Sequence, residues 1–228
     1  MVLGSMAPDF EYFLRGQTIR TYGHTLWGAV FFDLPLVVIV YLVGKYVVVR
    51  ALEPYFPQFP RLAYSYHSRS KIGTGLVFAY SALLGIATHL VWDSFTHRSG
   101  EVVTHWPALS ETVGLFGYEL PLYNLLQHAS TAVGLVAIIW FLLRRYLRHE
   151  KVRLDRAAMR HKVIFWVVSA ALALVILLVW FLLSRVSLAY PITWLVRSMD
   201  SVLLSLLLLA LVLTASRLVG GKTGSTGA

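Results

Sequence analysis

The stretch VIFWVVSAALALVILLVWFLL, residues 163–183, contains no charged side chain. About 20 apolar residues of α-helix cross the hydrocarbon core of a bilayer, so this stretch predicts a transmembrane helix. A second plain apolar run begins at residue 201 with SVLLSLLLLALVLTAS. Two such runs near one end of the chain favour an all-α integral membrane protein.

Composition supports this class. Of the 228 residues, 57% are hydrophobic and 14% are charged, whereas roughly 25% are charged in an average soluble domain. A single soluble core could not bury so much apolar surface. The chain has no cysteine, which excludes disulfides, thiolate nucleophiles and cysteine metal ligands. The first residues, MVLGSMAPDF, lack the charged and apolar regions of a signal peptide.

Five apolar runs are long enough to cross a bilayer, which predicts a polytopic helical bundle. They cover residues 25–43, 72–95, 121–143, 163–183 and 201–219. The predicted organisation is a membrane domain at 1–143, a basic loop at 144–162, two C-terminal transmembrane helices at 163–219 and a disordered tail at 220–228.

Loop charge predicts the orientation. Segment 44–71 has five Lys/Arg against one Glu, segment 144–162 has eight Lys/Arg against two acids, and segment 96–120 has one Arg against three Glu. Because Lys and Arg accumulate in cytoplasmic loops, we predict that the two basic segments and the C-terminus are inside. The N-terminal segment, 96–120 and 184–200 are then outside. Membrane lipid accounts for the basic excess, so nucleic acid is not an expected partner.

The stretch GIATHLVWDSFTHRSG, residues 85–100, places His89, Asp93 and His97 at four-residue intervals. Residues four apart share a helix face, so His89 and Asp93 could clamp one divalent cation. Imidazole and carboxylate suit Zn²⁺, Mn²⁺ or Fe²⁺. Two structural alternatives remain open: Asp93 caps the helix or pairs with Arg98, and His89 bonds to a backbone carbonyl.

Further polar residues are predicted at the same outer surface. Asp9 and His24 precede the first span and could complete the metal site. His97 could be a ligand, a proton shuttle or a surface residue, and His128 could complete the site or act as an acid/base. Asp33 is half a helical turn out of phase with His24, so we expect it outside this site, as a partner for backbone groups freed by a following proline.

Several separate motifs carry a resemblance to a bacterial membrane family known as domain of unknown function 4184. They lie within about residues 3–135 and read GSMAPDFEYFLRG, YGHTLWG, THLVWDSFTHRSG and PLYNLLQHASTAVG. That family is distantly similar to membrane-bound, metal-dependent hydrolases of the zinc-phospholipase-C-like type. The resemblance implies a multi-pass protein of the bacterial cytoplasmic membrane, with metal ligands at Asp9, His24, His89 and Asp93.

Family members usually begin with an upstream apolar segment that carries a further histidine. We therefore expect the native protein to begin before Met1, with one additional upstream helix. The predicted function is metal-dependent hydrolysis of a phosphoester or lipid-like substrate at the extracytoplasmic face, with Zn²⁺ or Mn²⁺ as cofactor and His97 or His128 as acid/base. The alternative is a non-enzymatic membrane protein whose polar cluster is structural or conducts ions.

Overall fold

A computed structural model describes residues 1–56, 70–115, 117–147, 156–184 and 186–223. Within them, five helices are long and apolar enough to cross a membrane, which confirms the all-α, multi-pass class. These candidate spans are Leu26–Tyr55, Lys71–His105, Leu122–Arg145, Met159–Leu183 and Pro191–Arg217.

The chain begins with two short helices, α1 (Val2–Met6) and α2 (Phe10–Arg15), separated by a 3-10 turn at Ala7–Asp9. The first span alternates between α-helical and wider π-helical geometry and ends in a 3-10 turn. Its parts are α3 (Leu26–Gly28), a π turn (Ala29–Asp33), α4 (Leu34–Val43), a second π turn (Gly44–Val49), α5 (Arg50–Leu52) and a 3-10 turn (Glu53–Tyr55).

Most of the second span is α6 (Lys71–Thr96), and the segment after α6 is more structured than the predicted loop. It contains α7 (Glu101–His105) and a 3-10 turn at Pro107–Ser110. An antiparallel hairpin follows, with Thr112 opposite Pro121, and leads into α8. Its strands are β1 (Thr112–Leu115) and β2 (Tyr118–Pro121), and α8 covers Leu122–Leu147.

The last two helices are α9 (Arg156–Leu183) and α10 (Pro191–Thr223). The predicted start of the final span was wrong, because α10 begins ten residues before 201. Arg197 and Asp200 lower the local hydropathy, yet both lie on α10 and are buried. α10 continues through residues 220–223 of the predicted tail, and residues 224–228 lie outside the described residues.

The described structure divides into two compact units. The first unit combines Met1–Pro8 with Phe59–Lys151, and the second combines Asp9–Gln58 with Val152–Ala228. The predicted site residues divide between them. His89, Asp93, His97 and His128 belong to the first unit, and Asp9 and His24 belong to the second.

In the first unit, α1 packs directly against α6 through glycine. A Cβ added at Gly4 would lie 2.2 Å from the carbonyl oxygen of Ala82, and one added at Gly85 would lie 2.3 Å from that of Met1. Small residues allow two helix backbones to approach this closely. The contact brings the backbone of Ser5 to the polar face of α6.

In the second unit, the buried core joins the end of the first span to α9 and α10. The Tyr55 ring stacks on Phe165 with centroids 4.2 Å apart, and Trp166 Nε1 donates to the Tyr55 carbonyl at 3.2 Å. Leu52 and Ala210 are also fully buried in this cluster. Elsewhere on α9, large apolar side chains remain exposed, as expected of a surface that faces lipid; they include Val167, Leu174 and Leu182.

The orientation can be tested with reporter fusions at about residue 60, about residue 110 and the C-terminus. We expect cytoplasmic reporter activity at the first and last positions and extracytoplasmic activity at the second, because positive loops stay inside. Cytoplasmic activity at about residue 110 would reverse the predicted orientation.

Candidate metal site

His89 is held on α6 by the backbone of α1. Its Nδ1 donates to the carbonyl oxygen of Ser5 at 2.7 Å. Such a bond to a backbone carbonyl is one of the structural alternatives that the sequence left open for His89. A carbonyl oxygen can only accept, so Nδ1 carries a proton, and Nε2 is the ring atom that can bind an ion when the imidazole is neutral. Nε2 lies 3.6 Å from Oδ2 of Asp93. A second partner that fixes the tautomer is a common feature of metal-binding histidines.

Asp93 lies between two imidazoles. Its Oδ2 faces His89, and its Oδ1 lies 3.3 Å from Nδ1 of His97. The carboxylate can therefore offer one oxygen to an ion and hold the His97 ring with the other. This arrangement follows directly from the four-residue spacing on one helix.

The far nitrogen of His97 faces α8. Nε2 of His97 lies 3.5 Å from the side-chain nitrogen of Gln127. The two helices are also joined where Trp92 Nε1 donates to Ser130 Oγ at 3.3 Å. His128, the next residue on α8, is exposed. Sequence reasoning named His128 and missed Gln127, although the two are adjacent, because the helical phase of α8 relative to α6 was unknown.

A second pair lies in the other unit. His24 Nε2 is 3.5 Å from Oδ1 of Asp9. The imidazole stacks on the Tyr12 ring, with centroids 5.6 Å apart and planes 23° apart. Thr25, the next residue, caps α3 by accepting from the Gly28 N–H at 2.9 Å. His24 is thus fixed where the α2–α3 connection meets the first span.

The connection that carries His24 is bound by Glu11. One oxygen of this buried side chain accepts the backbone N–H groups of Thr21, Tyr22 and Gly23 at 3.0–3.1 Å. Burial by itself raises the pKa of Glu11. The three N–H donors and the Arg15 guanidinium outweigh that effect and lower the pKa to about 2. Glu11 therefore remains ionised at neutral pH.

Arg197 holds the other end of the same connection. Its side chain is 2% exposed and lies between the Trp180 and Trp194 rings, 4.8 and 5.0 Å from their centroids. Its Nε donates to the carbonyl of Gly16 at 3.1 Å, and one Nη donates to Ser184 Oγ. Gly16 has a positive φ of 57°, and an added Cβ would lie 2.8 Å from Trp180. Only glycine fits this turn without strain.

Two other acidic positions differ from these pairs. Asp33 is fully buried at the end of a π turn, next to the segment that contains Pro35. Glu101 and His105 form a four-residue pair on α7, with side chains 84% and 75% exposed. The Glu101–His105 pair has the same four-residue spacing as His89 and Asp93, but its side chains are exposed.

The donor chemistry fits a transition metal. Two ligands about 2.1 Å from a tetrahedral ion lie about 3.4 Å from each other. The separations of 3.6 Å in the His89–Asp93 pair and 3.5 Å in the His24–Asp9 pair are close to this value. Asp9, His24 and His89 provide one carboxylate and two imidazoles, a set of ligands that could hold a metal ion.

Comparison with known proteins identifies the family of this chain. No curated protein and no solved structure matches the chain. The sequence profile described as "Domain of unknown function (DUF4184)" matches residues 1–216 of 228. The match covers the motifs around Asp9, His24, His89 and Asp93 and extends through most of α10. The chain therefore belongs to the DUF4184 family.

Proposed function

We propose that this protein is a membrane-bound, metal-dependent hydrolase that acts on a phosphoester or lipid-like substrate at the extracytoplasmic face. The observation that carries the proposal is the row formed by His89, Asp93 and His97 on α6. It combines a histidine whose Nδ1 is bonded to the backbone, a carboxylate beside it and a second, partly buried histidine.

In this proposal, Asp9, His24, His89 and Asp93 bind one Zn²⁺ or Mn²⁺ ion. Chain connectivity supports a shared site, because Ser5, the backbone partner of His89, lies only about one helical turn before Asp9. Two imidazoles and two carboxylates leave room for water or substrate on the ion. The ion would supply Lewis acidity that polarises the scissile bond and activates water.

His97 is the first candidate for proton transfer. Its Nδ1 is held by Asp93, and its Nε2 is directed toward Gln127 at the end of α6. A carboxylate that orients an imidazole also stabilises its protonated form, which suits a group that takes up and returns a proton. The exposed His128, one position along α8, is the second candidate for this role.

The position of the row supports an amphiphilic substrate. It lies at the C-terminal end of α6, next to the segment that contains α7. A lipid with a phosphoester headgroup has its reactive bond at the same depth, where hydrocarbon gives way to water. Such a substrate could approach along the exposed apolar surface of the helices.

The alternative is a non-enzymatic membrane protein with a structural or ion-conducting polar cluster. It is favoured by the protein contacts of the row, since His89 is bonded to Ser5 and His97 lies between Asp93 and Gln127. A polar cluster whose members bind one another can join helices without any ion.

Substitution of His97 tests the enzymatic proposal. In metal-loaded protein, we expect H97Q to hydrolyse a chromogenic phosphodiester or phospholipid vesicles about 100-fold more slowly, because a positioned acid/base contributes about 10²–10⁴-fold. Metal content should remain that of the wild type. H128Q is the matched comparison, and a larger loss there would assign the proton transfer to His128. Metal-loaded wild type with no activity on phosphomonoesters, phosphodiesters or phospholipids would favour the non-enzymatic alternative.

A further inference from the structure

The connection between α2 and α3, residues 16–25, is called the His24 loop here. It contains no regular secondary structure, yet its last part is bound tightly to α2. One oxygen of Glu11 receives three consecutive backbone N–H groups, from Thr21, Tyr22 and Gly23, at 3.1, 3.0 and 3.0 Å. Consecutive N–H groups that converge on one anion form a concave binding site for it.

The other oxygen of Glu11 is also occupied. Arg15, one turn along α2, places Nε and one Nη each 3.0 Å from Oε1. The side chain of Glu11 is 1% exposed. Burial of a carboxylate is unfavourable unless hydrogen bonds and a countercharge compensate for it, and here four residues provide them. Charge-assisted bonds of this kind are roughly twice as strong as neutral ones.

These contacts end at the residue before His24. Gly23 is bound to Glu11 through its N–H, and His24 follows with its ring stacked on Tyr12 and its Nε2 3.5 Å from Asp9. Asp9, Glu11 and Tyr12 all lie within four residues of the chain. A single short segment therefore holds both the backbone before His24 and the imidazole itself.

We propose that Glu11 is the positioning residue for His24: by binding the N–H groups of Thr21, Tyr22 and Gly23, it fixes the His24 loop so that the imidazole lies beside Asp9. Glu11 acts through the backbone and is not itself a metal ligand. The consequence for metal affinity rests on the proposed function, whereas the consequence for the loop does not.

The first experiment measures the loop without any metal. The chain has no cysteine, so Ile19→Cys introduces a unique labelling position in the His24 loop, at a side chain that is 47% exposed. A nitroxide label at this position should give the spectrum of an ordered loop in otherwise wild-type protein. E11Q keeps the shape of the side chain but loses its charge, and it should give a distinctly more mobile spectrum.

Two further variants serve as a control and as an intermediate case. E101Q removes a carboxylate that is 84% exposed on α7, and its label spectrum should match the wild type. E11D retains the charge with a shorter side chain and should give a spectrum between those of the wild type and E11Q. It also serves as the test if E11Q fails to fold. A label that is equally ordered in the wild type, E11D and E11Q would overturn the proposal.

The second experiment measures Zn²⁺ and Mn²⁺ affinity in a double-mutant cycle with H24A. Loss of a partner that orients a metal ligand weakens binding about 10- to 100-fold, and we expect this for E11Q in the wild-type background. In the H24A background, E11Q should have little additional effect, because neighbours that act through one another are not additive. Equal weakening in both backgrounds would mean that Glu11 only stabilises the fold and would overturn the proposal.

The two experiments separate the two ideas. If wild-type protein binds neither ion, the metal proposal fails, while the label spectra still decide whether Glu11 orders the His24 loop. If the metal binds normally and the label is unaffected by E11Q, the metal proposal stands and the role of Glu11 is rejected.

Discussion

Wild-type protein reloaded with Zn²⁺ or Mn²⁺ is expected to retain about one ion per chain through desalting, and the H89A/D93A double variant is expected to retain none. The variant removes two donors on one face of α6, including the imidazole whose Nδ1 is bonded to the Ser5 carbonyl. Metal content can be measured by elemental analysis of protein purified without chelator.

A pair of equal spacing provides the control. E101A/H105A removes a four-residue acid and histidine pair from α7, where both side chains are largely exposed, and it should leave metal content unchanged. H89A and D93A should still insert, since alanine makes α6 more apolar. If wild-type protein retains no more metal than the double variant, the row on α6 is a set of structural contacts between helices and not a metal site.

The second large effect is expected for Gly85→Ala. The added Cβ would lie 2.3 Å from the Met1 carbonyl oxygen and 2.7 Å from the Ser5 nitrogen. Because these are backbone atoms, α1 must move away from α6. We expect a loss of about 3 kcal/mol in the free energy of unfolding, at the upper end for overpacked sites. Metal retention should also fall, because the shift removes Ser5 from His89.

Gly75→Ala is the matched control on the same helix, since nothing lies within 4 Å of the Cβ that it would add. Its stability should be equal to or greater than that of the wild type, because alanine favours helix more than glycine does. Thermal unfolding in detergent compares the two variants. If G85A were as stable as G75A, the close packing of α1 on α6 would be contradicted.

The five spans could be predicted because a bilayer requires long apolar helices, and that requirement is visible in hydropathy alone. The start of α10 could not be predicted, because Arg197 and Asp200 resemble the charged residues of a loop until their burial is known. Arg197 is accommodated by two tryptophan rings and the Gly16 carbonyl, which are 3 to 181 residues away in the sequence. Hydropathy windows contain no information about such partners.

The row on α6 was predictable because residues four apart share a helix face whatever surrounds them. The contacts of this row with the Ser5 carbonyl and with Gln127 were not predictable, since they depend on how α1 and α8 pack against that face. Glu11 was not predictable for a different reason. In the sequence it is one acidic residue before the first span, whereas in the structure it binds backbone N–H groups ten to twelve residues later.

The bond from Arg197 to the Gly16 carbonyl has a consequence for modular engineering of this protein. All six predicted site residues lie within the first 128 positions, so a fragment that ends at residue 143 would contain every proposed ligand. That fragment would lack Arg197, Trp180 and Trp194, and the first turn of the His24 loop would lose its partners from α9 and α10. A chimera with borrowed C-terminal helices therefore has to supply a guanidinium that lies between two aromatic rings and reaches the Gly16 carbonyl. Enough apolar length to cross the bilayer is not sufficient.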